Sequence, residues 1–502
     1  MKRSLKEFAL LLLLSAAIAL ASFAPHRQID HENKPTNGCG HAAITLGPGS
    51  WSNQPVYVAI QDDSGKGIVH IRTDVMFQKS DDGGRTWLPA DVLVRRGGPF
   101  AASPDIATGP DGSIYIVYND DSTARHRFSC QRSSDGGATW SEPSIVVEYA
   151  GNVFVGWGRI AADSGGNLFC AWNGGPMDDS HIYASVSSDG GATWAPPVRV
   201  DDDTTWWGGC YQPDVFVQPG TNHYLVTAKV PNTGGGMTSG AYFYRSTDMG
   251  RTFQPGVRLD TFGLTSQPHV VADAQHIVCD YTGGTTEART LYTEPDTWGS
   301  PSLVSKLDTT QFWSYYNGAK LAISADGSVH TALMVCVDTS ESIYLPYYAS
   351  SSDHGVTWSS PELVNDDTTA DSWNPDIAAD SAGHAYVVWQ DGSGEVWFST
   401  NNPSGVAEQK LLPSSGEAKA RVVSRYDGIE VEYQLPAVVH VRATLHDAIG
   451  RRIGMLDAGD QEAGLHQLSW KRDQEGRRLS AGTYFVYLDM GAEQARLKAV
   501  VR

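Results

Sequence analysis

Five near-copies of one eight-residue pattern, Ser-x-Asp-x-Gly-x-Thr-Trp/Phe, constrain this chain more than any other feature. They run Ser80, Asp82, Gly84, Thr86-Trp87; Ser133, Asp135, Gly137, Thr139-Trp140; Ser187, Asp189, Gly191, Thr193-Trp194; Ser246, Asp248, Gly250, Thr252-Phe253; and Ser351, Asp353, Gly355, Thr357-Trp358. A turn signature repeated at long period means stacked copies of one supersecondary unit. The chemistry is that of a turn: Asp accepts from nearby N–H groups and hydroxyls, Gly supplies a positive φ, and the aromatic buries a large surface. The aromatic positions lie 53, 54 and 59 residues apart. A degenerate turn at Glu294, Asp296 and Trp298 then divides the gap to Trp358 into 45 and 60.

Each unit carries an alternating strand pair ahead of its turn, as in Asp105-Ile106-Ala107 then Ile114-Tyr115-Ile116-Val117-Tyr118, and a last unit from Asn374 to about Leu412 has strands without the turn. Period-2 alternation cut by Asp-Gly and Ser-Gly is a strand and hairpin signal, and each unit has the length of a four-stranded blade. Seven units are counted; six stays open if the segment from His41 to Trp87 closes a ring with the last one.

The pattern resembles the Asp-box, or bacterial neuraminidase repeat, of the sialidase-like β-propellers. That resemblance implies an all-β fold, boxes joining third to fourth strands, and a ligand face opposite them. Asp82, Asp135, Asp189, Asp248 and Asp353 are accordingly structural. True sialidases carry an Arg-Ile-Pro motif near the start of the propeller, which this sequence lacks; the nearest string, Arg159-Ile160-Ala161, falls in the third unit. The resemblance thus carries fold further than activity.

A chain of 502 residues with 52 Gly, 15 Trp and 21 Tyr and few charges suits many short strands and tight turns. Its formal charge of −20 argues against nucleic acid and anionic membranes as partners. Lys2, Arg3 and Lys6 ahead of an apolar run from Phe8 to Leu20 have the layout of a secretory signal peptide over 1–21, which predicts export and no transmembrane segment in the mature chain. Cys170, Cys279 and Cys336 fall in second strands and are expected as core hydrophobes, whereas Cys39 and Cys210 lie in loop-like sequence and could pair. No zinc-type His/Cys spacing is present.

After Pro413-Ser414-Ser415-Gly416 the pattern changes, and 13 Lys+Arg balance 12 Asp+Glu from Ser415 onward. Strands at Ile429–Leu435, Val439–Leu445, Gly464–Trp470 and Gly482–Asp489 predict a small Ig-like sandwich. The strings Tyr433-Gln434-Leu435-Pro436, Leu445-His446-Asp447-Ala448-Ile449-Gly450-Arg451, Ala463-Gly464-Leu465-His466 and Leu479-Ser480-Ala481-Gly482-Thr483-Tyr484-Phe485 resemble the type A sorting domain of the bacterial type IX secretion system. That resemblance implies outer-membrane secretion machinery as a partner and a secreted or cell-surface location. The expected layout is a signal peptide at 1–21, a linker at 22–40, a propeller at 41–412, a linker at 413–424 and the sandwich at 425–502.

Two sets of residues are candidates for chemistry. The loops leading into the first strands carry Phe100, Trp157, Trp206, Trp207, Phe262, Trp313, Tyr315, Tyr316 and Trp373, and a ring fold would gather them at one mouth suited to sugar faces. The starts of the first strands carry Asp105, Asp214 and Asp376 after Pro, His269 after Pro268, and Arg159. Clustered carboxylates could serve glycoside hydrolysis or hold Ca²⁺, though neither a cofactor nor a metal is required; alternatively each Asp caps its own blade turn. The functions that follow are glycan recognition, glycoside hydrolysis with Arg159 engaging an acidic sugar, or a protein-binding scaffold.

Overall fold

The computed structural model describes residues 23–30, 41–402 and 419–501, apart from short loop stretches of which the longest are 63–72, 203–210, 231–239 and 306–319. It divides into two units, Met1–Val406 and Ala407–Arg502. The described residues contain no helix and no segment long and apolar enough to cross a membrane as one.

The first unit is a seven-bladed propeller of antiparallel sheets. Its inner strands are Ala42–Leu46, Ala102–Thr108, Val153–Ala162, Tyr211–Val217, His269–Ala272, Lys320–Ile323 and Ser372–Ala379, for blades 1 to 7 in order. Each touches the inner strands on either side, and the seventh meets the first. The second strands are the apolar ribs of the blades: Ile114–Asp120 is buried along its whole length, and Trp172 and Trp389 are fully buried. That double-sided burial explains their continuous runs of Val, Ile and Tyr.

Closure bears out the seven-blade count and corrects one domain boundary. Residues 42–95 form a blade of their own rather than completing the last one, so the count is seven and not six. The last blade, lacking a box, receives its fourth strand from Arg27–Gln28, which pairs antiparallel with Val396–Thr400. Ile29 beside it is fully buried. The stretch 22–40 is therefore not wholly a linker: residues 27–28 complete the last blade and tie it to the chain that enters the first.

All five boxes join third to fourth strands with one hydrogen-bond set. In the second, Ser133 Oγ donates to Asp135 Oδ1 (2.8 Å), Gly137 N donates to Ser133 Oγ (2.8 Å), and Thr139 N donates to Asp135 Oδ1 (2.9 Å). The Thr139 hydroxyl and N–H, with Ser133, hold Asp135 down at about 2, and Asp189 is likewise at about 2. These carboxylates are acceptors inside turns, not titrating groups. Gly137 has φ +89°, and a Cβ there would sit 2.1 Å from the Phe77 ring, so the turn needs glycine twice over. The box aromatic packs on the preceding blade: Trp140 edge-on to Phe77 (5.3 Å), Trp87 to Phe398 (5.0 Å), closing the ring from blade 1 to blade 7. In blade 5 the degenerate turn keeps this clasp through Trp298 on Phe243 (5.3 Å), but Asp296 turns outward to the Arg245 guanidinium (2.9 and 3.0 Å).

Cys170 and Cys279 are buried as expected, and so is Cys130, whose thiol burial pushes up to about 12. Cys39, Cys210 and the side chain of Cys336 lie outside the described residues.

The second unit is a sandwich of a three-stranded sheet (Lys419–Arg425, Gly428–Leu435, Gly464–Trp470) and a four-stranded sheet (Val439–Asp447, Arg452–Gln461, Gly482–Met490, Glu493–Val501). Its core joins Val431, Tyr433 and Trp470 to Val441, Leu445, Val486 and Leu488. The first strand begins at Lys419, inside the stretch expected as a linker, because its residues pair with 428–434 of the next strand.

Candidate functional site

The inner strands of blades 2, 3, 4 and 7 break register at the same place, where they enter the mouth. The breaks fall between Ala102 and Asp105, Gly156 and Arg159, Tyr211 and Asp214, and Trp373 and Asp376. Within each bulge one non-glycine residue is left-handed: Ser103 (φ 56°), Trp157 (40°), Gln212 (53°) and Asn374 (49°). Such a φ costs a non-glycine residue free energy, and its recurrence at one register marks a backbone held for a purpose. The bulge re-aims the next side chains toward the axis.

One cavity sits at this mouth, on the face opposite the boxes. All seven blades line it, through His41 and Ala43, Asp105, Trp157 and Arg159, Gln212, His269, Lys320, and Asn374 with Asp376. One register position supplies, in blade order, Ala43, Asp105, Arg159, Asp214, His269, Lys320 and Asp376. Three carboxylates thus share the ring with Arg159, Lys320 and an imidazole.

The carboxylates do not cap their own blades, as one reading of the sequence had it. Each reaches forward to the next inner strand: Asp105 Oδ2 accepts from Ile160 N (2.8 Å), Asp214 Oδ2 from Val270 N (3.0 Å), and Asp376 Oδ2 from Ile44 N (2.9 Å). Burial raises Asp376 to about 6, with Lys320 and Arg159 opposing and Asp105 adding to the rise. Burial raises Asp214 too, against the same two cations. Those cations already supply the counter-charge that a Ca²⁺ among these carboxylates would supply, which weakens the case for one.

Blade 5 departs from the pattern beneath the ring. Opposite the ring residue in the second strand the other blades place Ala59, Val117, Ala171, Thr227, Ala332 and Val388, whereas His269 faces Asp280. Both are 1% exposed. Asp280 Oδ1 accepts from His269 N (3.0 Å) and lies 3.1 Å from His269 Nδ1, while His269 Nε2 and Asp280 Oδ2 have no partner. Burial, then Lys320 and Arg159, drives His269 well below the usual imidazole range, and burial drives Asp280 well above the carboxylate range. His269 Nε2 lies on the side of the ring away from Asp280.

Sequence reasoning found Asp105, Asp214, Asp376, Arg159, His269 and Trp157, and the structure brings them together. Trp373 is half-buried and does not line the cavity; its indole N–H bonds to Asp371. Trp206, Trp207, Trp313, Tyr315, Tyr316, Phe100 and Phe262 lie outside the described residues. Lys320 was missed, although Lys320-Leu321-Ala322 aligns with Asp105-Ile106-Ala107. Asp280 was missed as well, and its signal was a lone carboxylate where other second strands are apolar.

Comparison with known proteins agrees with this architecture. Residues 166–405 match the BNR repeat-like domain, and residues 423–490 match the FlgD Ig-like domain. A search of curated proteins returns no match. Similar solved structures include a protein of unknown function from Dyadobacter fermentans, 16% identical over 75% of this chain and 97% of that one, TM-score 0.44. A PL25 ulvan lyase, a polysaccharide lyase, is 15% identical over 74% and 95%, TM-score 0.47. A mutant of the NanB sialidase from Streptococcus pneumoniae is 10% identical over 75% and 94%, TM-score 0.46. At these identities and TM-scores the likenesses decide nothing about chemistry.

Proposed function

We propose that the propeller mouth binds a sugar unit of a glycan or polysaccharide. The observation that carries this reading is one cavity lined together by the carboxylates of Asp105 and Asp376, by Arg159 and Lys320 and by His269, beside Trp157. Sugar hydroxyls both donate and accept, and a pyranose face presents C–H groups to an aromatic ring, so such a lining matches that ligand class. Arg159 and Lys320 favour a sugar bearing a carboxylate or sulfate. The test is retention of sialylated, sulfated and neutral glycans by the purified chain. Retention of one class, lost in Trp157→Ala and Arg159→Ala, supports the reading; retention of none, or unchanged retention in both variants, sinks it.

A second reading is glycoside hydrolysis, favoured by one observation: burial keeps Asp376 protonated up to about pH 6. Asp376 would then donate a proton to the leaving oxygen while Asp105 or Asp214 acts as base or nucleophile. Mass spectrometry of the same incubations separates the two. A released sugar that disappears in Asp376→Asn identifies an enzyme, whereas intact retained glycan identifies a binding protein.

The same proposal places the protein outside the cell, with the N-terminal basic and apolar run as export signal and the Ig-like module as the sorting element. Removal of residues 407–502 should then shift the protein from the medium or cell surface to the periplasm. Unchanged surface delivery of the shortened chain would reject that role.

A further inference from the structure

On the box face, far in function from the mouth, three side chains from two blades converge in a way that the turns alone do not require. Asp273 and His276 belong to the turn between the first two strands of blade 5. Asp273 Oδ1 accepts from His276 N (2.7 Å), and both its oxygens lie 3.1 Å from His276 Nδ1. That much is a local turn; Asp380 and His384 make the same one in blade 7. The third side chain is foreign to it. His354 belongs to the box of blade 6, and its Nδ1 lies 3.1 Å from Asp273 Oδ2.

Two features single out His354. In the boxes of blades 1, 2 and 3 the equivalent residue is Gly83, Gly136 or Gly190, all at positive φ, and His354 holds the same left-handed conformation at φ 57°. Turn chemistry therefore favours glycine at this position, not histidine. In addition, the 3.1 Å approach to Asp273 is off the line of a hydrogen bond, so the buried His354 Nδ1 has no hydrogen-bond partner. The two imidazoles stack with centroids 3.8 Å apart and planes 13° apart, aiming both Nδ1 atoms at one carboxylate. Gly327 makes the room: a Cβ there would lie 2.5 Å from His354 Cε1 and 3.2 Å from Asp273 Oδ2.

We propose that Asp273, His276 and His354 form a transition-metal site, of the class that binds Zn²⁺, which ties blade 5 to blade 6. One candidate ligand atom from each residue lies within 4.8 Å of the other two. Ligand atoms of a tetrahedral zinc centre stand about 3.3 Å apart, given metal–ligand bonds of about 2.0–2.1 Å. The two imidazoles have to turn out of their parallel stack to direct both Nδ1 lone pairs at one cation. Two imidazoles and a carboxylate suit a borderline first-row cation over Ca²⁺ or Mg²⁺, which want oxygen donors. The three side chains are part exposed, which leaves access for the ion and a position for water as fourth ligand.

The experiment is calorimetric titration of the EDTA-treated full chain with Zn²⁺, with Ca²⁺ and Mg²⁺ as controls. His354→Gly installs the residue found in the boxes of blades 1, 2 and 3 (blade 4 has Met249, also left-handed at φ 61°) and should fold, which an unchanged melting temperature in EDTA verifies. His276→Gln is the second variant. One saturable equivalent of Zn²⁺ in the native chain, lost in both variants, is expected, together with a Zn²⁺-dependent rise in melting temperature seen only in the native chain. Zn²⁺ uptake undiminished in His354→Gly, or no stoichiometric uptake by the native chain, overturns the proposal. Substitution with Co²⁺ gives an independent readout, since visible absorption bands should appear in the native chain and not in the variants.

Discussion

On the box face each blade reaches back to the one before it, Trp140 to Phe77 and Trp87 to Phe398, from turns that are nearly the same sequence each time. At the mouth the reach is forward, Asp105 to Ile160, Asp214 to Val270 and Asp376 to Ile44, from a register whose residues differ from blade to blade. Both devices join neighbouring blades. They differ in what they leave free: a box carboxylate is consumed by its own Ser and Thr, whereas Asp105 and Asp376 each spend one oxygen on the backbone of the next blade and still line the cavity. Repeated geometry with repeated chemistry makes a scaffold, and repeated geometry with varied chemistry makes a site.

The largest test of that division is Trp140→Ala. Loss of a half-buried indole from the Phe77 contact should cost about 2–3 kcal/mol in urea unfolding and leave glycan retention by the folded protein unchanged. Loss of retention in a folded variant would break the division. Next comes Asp280→Ala, which strands the His269 backbone N–H and Nδ1 in a site closed to water. A cost of about 2 kcal/mol is expected, with Asp280→Asn milder because it keeps an acceptor; equal stability of all three would show that the pair is idle in folding.

Asp105→Ala removes the acceptor of Ile160 N and should cost about 1 kcal/mol. Asp105→Asn should cost less than Asp105→Ala while changing ligand retention as much, which separates the strap from the site. Equal stability losses would deny the strap.

The smallest effect concerns pH. The carboxyl of Asp376 is raised to about 6 in the fold, above its unfolded value, so the folded state holds the extra proton between those values and stability falls as pH rises through that window. Asp376→Asn should flatten this slope and leave the variant no less stable than the native chain at pH 8, by a difference under about 1 kcal/mol. The box carboxylates act oppositely. Asp135 and Asp189, held at about 2, contribute stability that is present above their unfolded values and lost only as pH falls toward 2. A native-like slope in Asp376→Asn would assign the titration to another group.

By itself the sequence determined the blades and their turns. Ser133, Asp135, Gly137 and Thr139 bond to one another within six residues, so their spacing carries the whole turn, and the alternation of Ile114 to Tyr118 carries the rib strand beside it. It also determined that Asp105, Asp214 and Asp376 share a register, because the strings around them align. Only the tertiary structure decided what those positions meet. The ring is closed by Arg27–Gln28 on a strand near residue 400, too short a segment to signal itself. Lys320 comes to the carboxylates from another blade, and His354 reaches Asp273 from the box of the next blade. Each of these depends on the curvature and closure of seven sheets, which no local spacing encodes, since the partners are set by which blade lies next in the ring and not by distance along the chain.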